Sequence, residues 1–288
     1  MLSSRLLEYI LYPPRRFNKQ KLARYLAGRT VLITGASSGI GEQLAYLLGG
    51  MEVHLVLVAR RADKLSEIKA MIMMEYSQSQ VDVFPADLRN EEEMQRLLHF
   101  LHQLPNGLDI VISNAGHSIK RPVYDSLDRY HDYTRTMSIN YFAPVQLLLS
   151  TIPLLEQKKG QIINVSTINA LLYPFPHWAA YQASKAAFDT WLRSAAPELH
   201  IRGITVTSLY FPLVRTPMIA PTAAYQHAPA MSALHAARLI GHAIYTRKRV
   251  YKPWWSLFGQ LGSVLFRSIG DKVIPSILRR GEKHHEDL

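Results

Sequence analysis

Tyr181 and Lys185 stand four residues apart in the run Tyr-Gln-Ala-Ser-Lys. On a helix that spacing puts both side chains on one face, one turn from each other. A free phenol titrates at about pH 10, too high for proton transfer at neutral pH. An ammonium beside it favours the phenolate and lowers that value, so Tyr181 reads as a general acid or base tuned by Lys185. The same spacing also occurs on ordinary amphipathic helices. A second run narrows the choice: Thr-Gly-Ala-Ser-Ser-Gly-Ile-Gly from Thr34 to Gly41, directly after the apolar residues Val31, Leu32 and Ile33.

The elements that must position these groups follow from patterning. Val31 to Thr34 is apolar and β-branched, Glu42 to Leu48 has helical composition, and Val53 to Ala59 is a second buried-strand run. In such a parallel strand–helix–strand unit the loop lies at the carboxyl end of the first strand, and the amides opening the helix point at a pyrophosphate. Gly35, Gly39 and Gly41 let the backbone turn sharply and approach phosphates. Together with Ser37, Ser38 and Ile40 they form an expected dinucleotide cradle. A carboxylate closing the second strand would hold the ribose of NAD, whereas an arginine there accommodates a 2′-phosphate. This chain has Arg60 and Arg61, with no acid until Asp63. NADPH is therefore the expected cofactor, with Arg60 its contact and Ser37 a helper; two merely solvated arginines are the alternative.

At this point the chain resembles the classical short-chain dehydrogenase/reductase family over roughly residues 28–250. The resemblance is carried by the glycine run at 34–41, Asp87 in Pro-Ala-Asp-Leu, Asn114-Ala115-Gly116, Asn140, the Ile-Asn-Val-Ser-Thr segment ending at Thr167, and Tyr181 with Lys185. It implies that Asp87 contacts the adenine and that Asn114 braces the central sheet beside the cofactor. It further implies that Asn140 holds a water in a proton relay from Lys185, which also binds the nicotinamide ribose. The family's catalytic serine stands thirteen residues before the tyrosine, where this chain has Ile168. Aligning the strand Ile163 to Thr167 instead puts Thr167 at that position, with one extra residue in the following loop and Ser166 as the other candidate. A threonine hydroxyl donates the same hydrogen bond. Phe211-Pro212-Leu213 also departs from the family's Pro-Gly, although Val214 and Thr216 remain as cofactor contacts.

Within the family, Ser118-Ile-Lys-Arg, the run from Asp128 to Met137 leading into Asn140-Tyr141-Phe142, and the run from Pro212 to Thr222 resemble bacterial fatty acyl-CoA reductases of the short-chain-dehydrogenase type. The resemblance implies an NADPH-dependent reductase acting on a long-chain acyl thioester or aldehyde, and a homodimer or homotetramer. Subgroup motifs also mark scaffold geometry. Another lipophilic alcohol or ketone, 3-oxoacyl or sterol-like, stays open as substrate, as does a non-catalytic NADPH-binding sensor. Tyr173, Phe175 and Trp178 would line the lipophilic tail or simply fill the core.

With 288 residues, 48% hydrophobic and 19% charged, the chain suits one Rossmann-type α/β domain with a doubly wound parallel sheet. The expected organisation is an amphipathic, basic extension at 1–27, a catalytic NADP-binding domain at 28–250 and an amphipathic helical extension at 251–288. The absence of cysteine excludes disulfides, cysteine-ligated metal and a thiol that captures an acyl group. The twelve histidines lack a ligand spacing, so no metal is expected. The net charge of +11 gathers beside apolar ends, at Arg15, Arg16, Lys19, Lys21 and Arg24 after the stretch from Leu2 to Tyr12, and at Arg247, Lys248, Arg249 and Lys252 before the stretch from Trp254 to Leu278. No nucleic-acid motif accompanies these clusters, so no nucleic-acid partner is expected. The first stretch is too short to span a bilayer and contains Glu8. From Trp254 to Ile269 a helical wheel puts Ser256, Gln260, Ser263 and Arg267 on one side and Trp254, Phe258, Leu261, Leu265 and Ile269 on the other. Such a helix beside basic residues suits an anionic membrane surface, a pocket lid or a subunit interface. The expected location is the cytoplasm, peripheral at the inner face of a membrane where the ends dock.

Overall fold

In the computed structural model, which describes residues 4–77, 79–220, 225 and 228–286, the apolar runs become parallel strands: β1 (Arg29–Thr34), β2 (Val53–Ala59), β3 (Gln80–Pro85), β4 (Ile110–Ser113), β5 (Gln161–Thr167), β6 (Thr205–Phe211) and β9 (Val250–Tyr251). They pair in the order β3-β2-β1-β4-β5-β6-β9. Two further short strands, β7 (Val214–Arg215) and β8 (Met231–Ser232), pair apart from this sheet. Strand β2 is buried along its whole length, as befits a strand covered on both faces. Alternation along β1 sends Val31 and Ile33 into one core and Leu32 into the other. The first core is closed by α2 (Lys19–Leu26), α3 (Gly39–Gly49), α4 (Ala62–Glu75) and α9 (Ala233–Thr246) through Leu22, Leu44, Ile68 and Ile240. The second is closed by α5 (Glu91–His102), α7 (Ala143–Lys158) and α8 (Ala179–Ile201) through Leu97, Leu148, Phe188 and Leu192. This is the expected doubly wound fold. The chain moves outward from β1 to β3 and returns to β4 beside β1, and ligands of such sheets bind at the carboxyl ends of the strands where the order reverses.

Residues Tyr130–Lys158 run through α6 (Tyr130–Met137), a π-helical turn (Ser138–Phe142) and α7, and are long and apolar enough to cross a bilayer. In the fold Leu147, Leu148 and Leu155 of this run sit in the second core, so it serves as a core helix.

The two ends of the chain meet. Helix α1 (Ser4–Leu11) is held by Glu8, which accepts the Ser232 N–H at 3.0 Å. The indoles of Trp254 and Trp255 donate to the carbonyls of Ile10 and Leu11, each at 3.2 Å. Beyond them the expected single helix from Trp254 to Ile269 is broken at Phe266 into α10 (Ser256–Leu265) and α11 (Arg267–Glu286). The turn allows Asp271 to reach the Tyr173 hydroxyl. The polar stripe of α10 faces the protein: Ser256 is fully buried, and Ser263 Oγ accepts the Tyr173 N–H at 2.8 Å. Trp254, Phe258, Leu261, Leu265 and Ile269 are each more than half exposed.

Candidate active site

A cleft of about 950 Å³ opens at the carboxyl edge of the sheet, a size suited to a cofactor with its substrate. Its floor begins where β1 turns into α3. Gly35 has φ +68°, and a Cβ there would lie 2.8 Å from Ala115 Cα. A Cβ on Gly41 would lie 2.4 Å from the Gly35 carbonyl oxygen, so this loop closes on itself only with glycine at both places. Ser38 occupies the N-cap of α3 without a side-chain bond to it. The first-turn amides, whose residues Gly39 and Ile40 line the cleft, are therefore left for an anion. Asn114 ties β4 to this loop, its Nδ2 donating to the carbonyls of Thr34 at 2.9 Å and Gly35 at 3.2 Å. Ala115, Gly116, Val214 and Thr216 line the cleft, and a Cβ on Gly39 would meet the Thr216 methyl at 2.8 Å.

At the other end lie three arginines. Arg60 follows β2 directly and lines the cleft. Ser37 is held by Arg61: Arg61 Nη2 donates to the Ser37 carbonyl at 2.9 Å and to its hydroxyl at 3.1 Å. Arg89 clamps Asp87, with Nη2 at 2.5 Å and Nε at 2.9 Å from its carboxylate oxygens. That guanidinium holds the Asp87 carboxyl below the usual carboxylate range. The carboxylate lining this part of the cleft is thus neutralised, and a doubly charged phosphate would face net positive charge. Arg89 escaped the sequence reading; its signal was a guanidinium two residues beyond Asp87, just after the third strand. The glycine loop, the uncapped helix and the arginines together fit a 2′-phosphorylated dinucleotide.

Strand β5 delivers Thr167 with extended backbone, φ −126° and ψ 149°. Thr167 Oγ1 accepts the Asn169 N–H at 3.3 Å, which leaves its own proton to donate. Tyr181, near the start of α8, lines the same cleft as Thr167, whose hydroxyl acts to lower the phenol. Ser166 also lines the cleft but projects from the opposite face of the strand. One turn along α8, Lys185 Nζ reaches the Val165 carbonyl at 3.5 Å. A Cβ on Gly116 would lie 3.3 Å from that Nζ and 2.9 Å from Asn140 Oδ1, so the three residues converge. The π-helical turn presents Asn140, which is 1% exposed. Its Oδ1 accepts the His117 N–H at 2.9 Å, and its Nδ2 donates to the His117 carbonyl at 2.8 Å and the Ser184 hydroxyl at 2.9 Å. Both ends of the carboxamide are engaged within the protein.

The expected lowering of the phenol does not occur. Burial pushes Tyr181 up to about 12, against which the Thr167 hydroxyl pulls it down, and burial alone lowers Lys185 to about 8. Desolvation disfavours the charged form of each group. At neutral pH Tyr181 is a phenol, the form that donates a proton.

The substrate end carries Phe175 and Trp178, which line the cleft. The Trp178 ring lies 5.6 Å from Tyr181 and stacks on Tyr225 at 6.1 Å. Tyr173 turns away toward α10 and α11. The loop 168–178 is pinned by Gln182, whose Oε1 accepts the Phe175 N–H at 2.9 Å and whose Nε2 donates to the Asn169 carbonyl at 2.7 Å. Sequence reasoning missed Gln182, which looks like any polar residue on α8. Of the run from Pro212 to Thr222, residues 221 and 222 lie outside the described residues.

The chain is similar to known proteins in sequence and in fold. The family model for short chain dehydrogenases matches residues 29–226. Over 261 residues the chain is 41% identical to a fatty acyl-CoA reductase of Acinetobacter baylyi, spanning 86% of each protein. It is also 41% identical, over 223 residues, to a fatty acyl-CoA reductase of Mycobacterium tuberculosis, spanning 77% of this chain and 75% of that one. Among solved structures, a short-chain dehydrogenase from Sphingobium yanoikuyae in complex with NADPH matches the fold with a TM-score of 0.71 at 24% identity, over 88% of this chain and 95% of that one. A short-chain dehydrogenase/reductase of Caenorhabditis elegans, solved with cofactor, gives 0.70 at 26% identity, over 79% and 94%. The matched span runs from β1, through the cradle, to Tyr181 and Lys185, and the chain belongs to the short-chain dehydrogenase family of oxidoreductases.

Proposed function

We propose that the protein is an NADPH-dependent reductase that delivers hydride to the carbonyl of a long-chain fatty acyl-CoA and releases the aldehyde. The observation that carries this reading is one cleft with the Tyr181, Thr167 and Lys185 groups beside an aromatic wall and with Arg60, Arg61 and Arg89 at the far end. The acyl-CoA reductases that are 41% identical to it over 261 and 223 residues support the substrate class. Reduced nicotinamide, when bound, supplies the hydride. Tyr181, as a phenol, donates its proton to the carbonyl oxygen, and Thr167 donates a hydrogen bond to the same oxygen as charge develops there. Lys185 holds the nicotinamide ribose and keeps positive charge near Tyr181, while Asn140 fixes the Gly116–His117 backbone against α8. For a thioester, the carbon–sulfur bond of the resulting adduct breaks and the thiolate takes a proton, so acyl-CoA, NADPH and a proton give aldehyde, CoA and NADP⁺. Without cysteine the chain forms no acyl-thioester of its own.

The same reading makes the protein a cytoplasmic enzyme, a homodimer or homotetramer, seated on an anionic membrane. Exposed Phe142 and Leu149 beside and on α7 support self-association. The outward apolar stripe of α10, continued by Tyr9 and Ile10 of α1 and bordered by Arg15, Arg16 and Lys252, supports the membrane contact.

The test is NADPH consumption with palmitoyl-CoA, hexadecanal, a 3-oxoacyl ester and a sterol ketone, with products identified by mass spectrometry. Hexadecanal formed from palmitoyl-CoA, and lost in Tyr181→Phe, is the expected result. Reduction of a ketone without any thioester reduction would overturn the substrate and move it to another lipophilic carbonyl.

A further inference from the structure

The geometry points to a second anion-binding subsite on the rim of the catalytic cleft, built by Lys120, Arg121, Arg129 and Arg135 around Asp132, which takes the phosphorylated adenosine handle of coenzyme A. The inference rests on the acyl-CoA reading above.

Two sequence strings that the catalytic and cofactor groups leave unused supply these residues: Ser118 to Arg121, and Asp128 to Met137. The fold brings them to one point. Asp132, in the first turn of α6, is 1% exposed. Its Oδ2 lies 3.3 Å from Arg121 Nε and 3.1 Å from Arg129 Nε, and its Oδ1 lies 3.1 Å from Arg135 Nη2. Burial works against its ionisation, and Arg129, His131 and Arg121 outweigh that burial and hold it ionised.

A buried carboxylate needs one guanidinium for neutrality; this one gathers three, and the cluster keeps two surplus positive charges. Lys120 adds another and is exposed, without a partner among the described residues. Each arginine of the cluster keeps roughly 36–42% of its side chain exposed, with N–H donors to spare. Asp132 thus acts as a frame that holds several guanidiniums in place, which favours recognition of a multiply charged phosphate group.

The position fits the substrate's shape. Lys120 and Arg135 line the same cleft as Tyr181, Phe175 and Trp178. The Arg121 N–H donates to the His177 carbonyl at 2.7 Å, which fixes the basic rim to the aromatic loop. A ligand with an apolar chain and a polyanionic head would lay one on the aromatics and the other on the rim. Lys120 and Arg135 line a concave wall, which favours a small polyanion over the convex surface of an acidic carrier protein.

The experiment titrates the enzyme, saturated with NADP⁺, with CoA and with adenosine 3′,5′-bisphosphate by calorimetry, in the parent protein, Lys120→Glu and Arg135→Gln. Lys120 has no bond to Asp132, so its reversal leaves the frame intact. Expected are binding of both probes by the parent, a loss of about tenfold or more in each variant, further weakening with salt, and an NADPH Kd that stays within about twofold. In steady-state assays the variants should lower the preference for palmitoyl-CoA over hexadecanal, which has no handle, by the same factor. Failure of the parent to bind CoA, equal binding in the variants, or an equal loss of NADPH affinity would each overturn the subsite. Selective loss with acyl carrier protein substrates alone would assign the rim to a protein partner and overturn it too. Because the titration needs no turnover, these outcomes stand apart from failure of thioester reduction itself.

Discussion

Replacing Thr167 by alanine tests the catalytic assignment where the chain departs most from its family. Its hydroxyl accepts the Asn169 N–H at 3.3 Å and keeps a proton that a carbonyl oxygen can accept. Removal of one donor to a developing oxyanion lowers kcat by about 10²- to 10³-fold. The same change removes the N-cap of the short helical turn Ile168–Ala170, a loss of about 1 kcal/mol. For a chain of this size that is roughly 2–4 °C in Tm, so the rate effect cannot be ascribed to unfolding at assay temperature. It also removes the hydroxyl that opposes burial at Tyr181, which pushes the phenol higher still and keeps it protonated. Thr167→Ser should retain turnover within about tenfold, because donor and cap both survive. Ser166→Ala should cost much less, since Ser166 projects from the other face of β5. The assay is kcat for hexadecanal and palmitoyl-CoA at saturating NADPH, with NADPH affinity and Tm measured alongside. A crippled Ser166→Ala together with a silent Thr167→Ala would refute the assignment and move the role to Ser166.

Tyr181→Phe should abolish turnover while NADPH still binds within a few-fold; retained activity would remove Tyr181 as the proton donor. Burial places Lys185 at about 8, so its ammonium is lost as pH rises through that value, and kcat/KM for NADPH should fall above about pH 8. Tyr181, a phenol up to about 12, adds no arm below that, and a flat profile to about pH 10 would refute the role of Lys185. NADPH should bind more tightly than NADH by about tenfold or more; Arg61→Ala and Arg60→Asp should each erode the preference, and equal affinities in the parent would sink the arginine reading. The parent should cosediment with anionic vesicles at low salt and be released as salt rises, and Phe258→Glu with Leu261→Glu should weaken this by more than about tenfold; no binding at any salt would remove the membrane.

The parts of this molecule that a local run of residues specifies were legible. Apolar β-branched runs mark β1 and β2 because a strand covered on both faces tolerates little else. The glycines at 35 and 41 mark a turn that excludes side chains, and their partners, Ala115 and the Gly35 carbonyl, lie at the same crevice. What escaped depends on groups remote in the chain. Arg61 bonds Ser37 because the direction of a side chain beyond a strand end is set by what it can bond. Gln182 is distinguished only by the loop it pins. Spacing predicts that the Tyr181–Lys185 pair stabilises charge on both groups, yet spacing carries no information on burial, and here burial raises the phenol and lowers the ammonium.

The terminal helices show the same limit from another side. A helical wheel separates two stripes without saying which one meets the protein, and the usual rule turns the apolar stripe inward. In α10 the inward stripe is the polar one, because Ser263 supplies the acceptor that the Tyr173 N–H lacks and Ser256 closes its own turn on the Pro253 carbonyl at 2.6 Å. The Ser263 bond ties α10 to the loop that carries Phe175 and Trp178 into the cleft. Apolar side chains are thereby left outward on α10 and at Ile10, at the place where the two ends of the chain are joined by the Trp254 and Trp255 indoles. An outward stripe of this size is stable in water only at a cost of roughly 25 cal/mol per Å² left uncovered. Orientation, more than amphipathicity, is therefore what argues for an external apolar phase, and the Tyr173–Ser263 bond that helps to set it joins residues 90 positions apart.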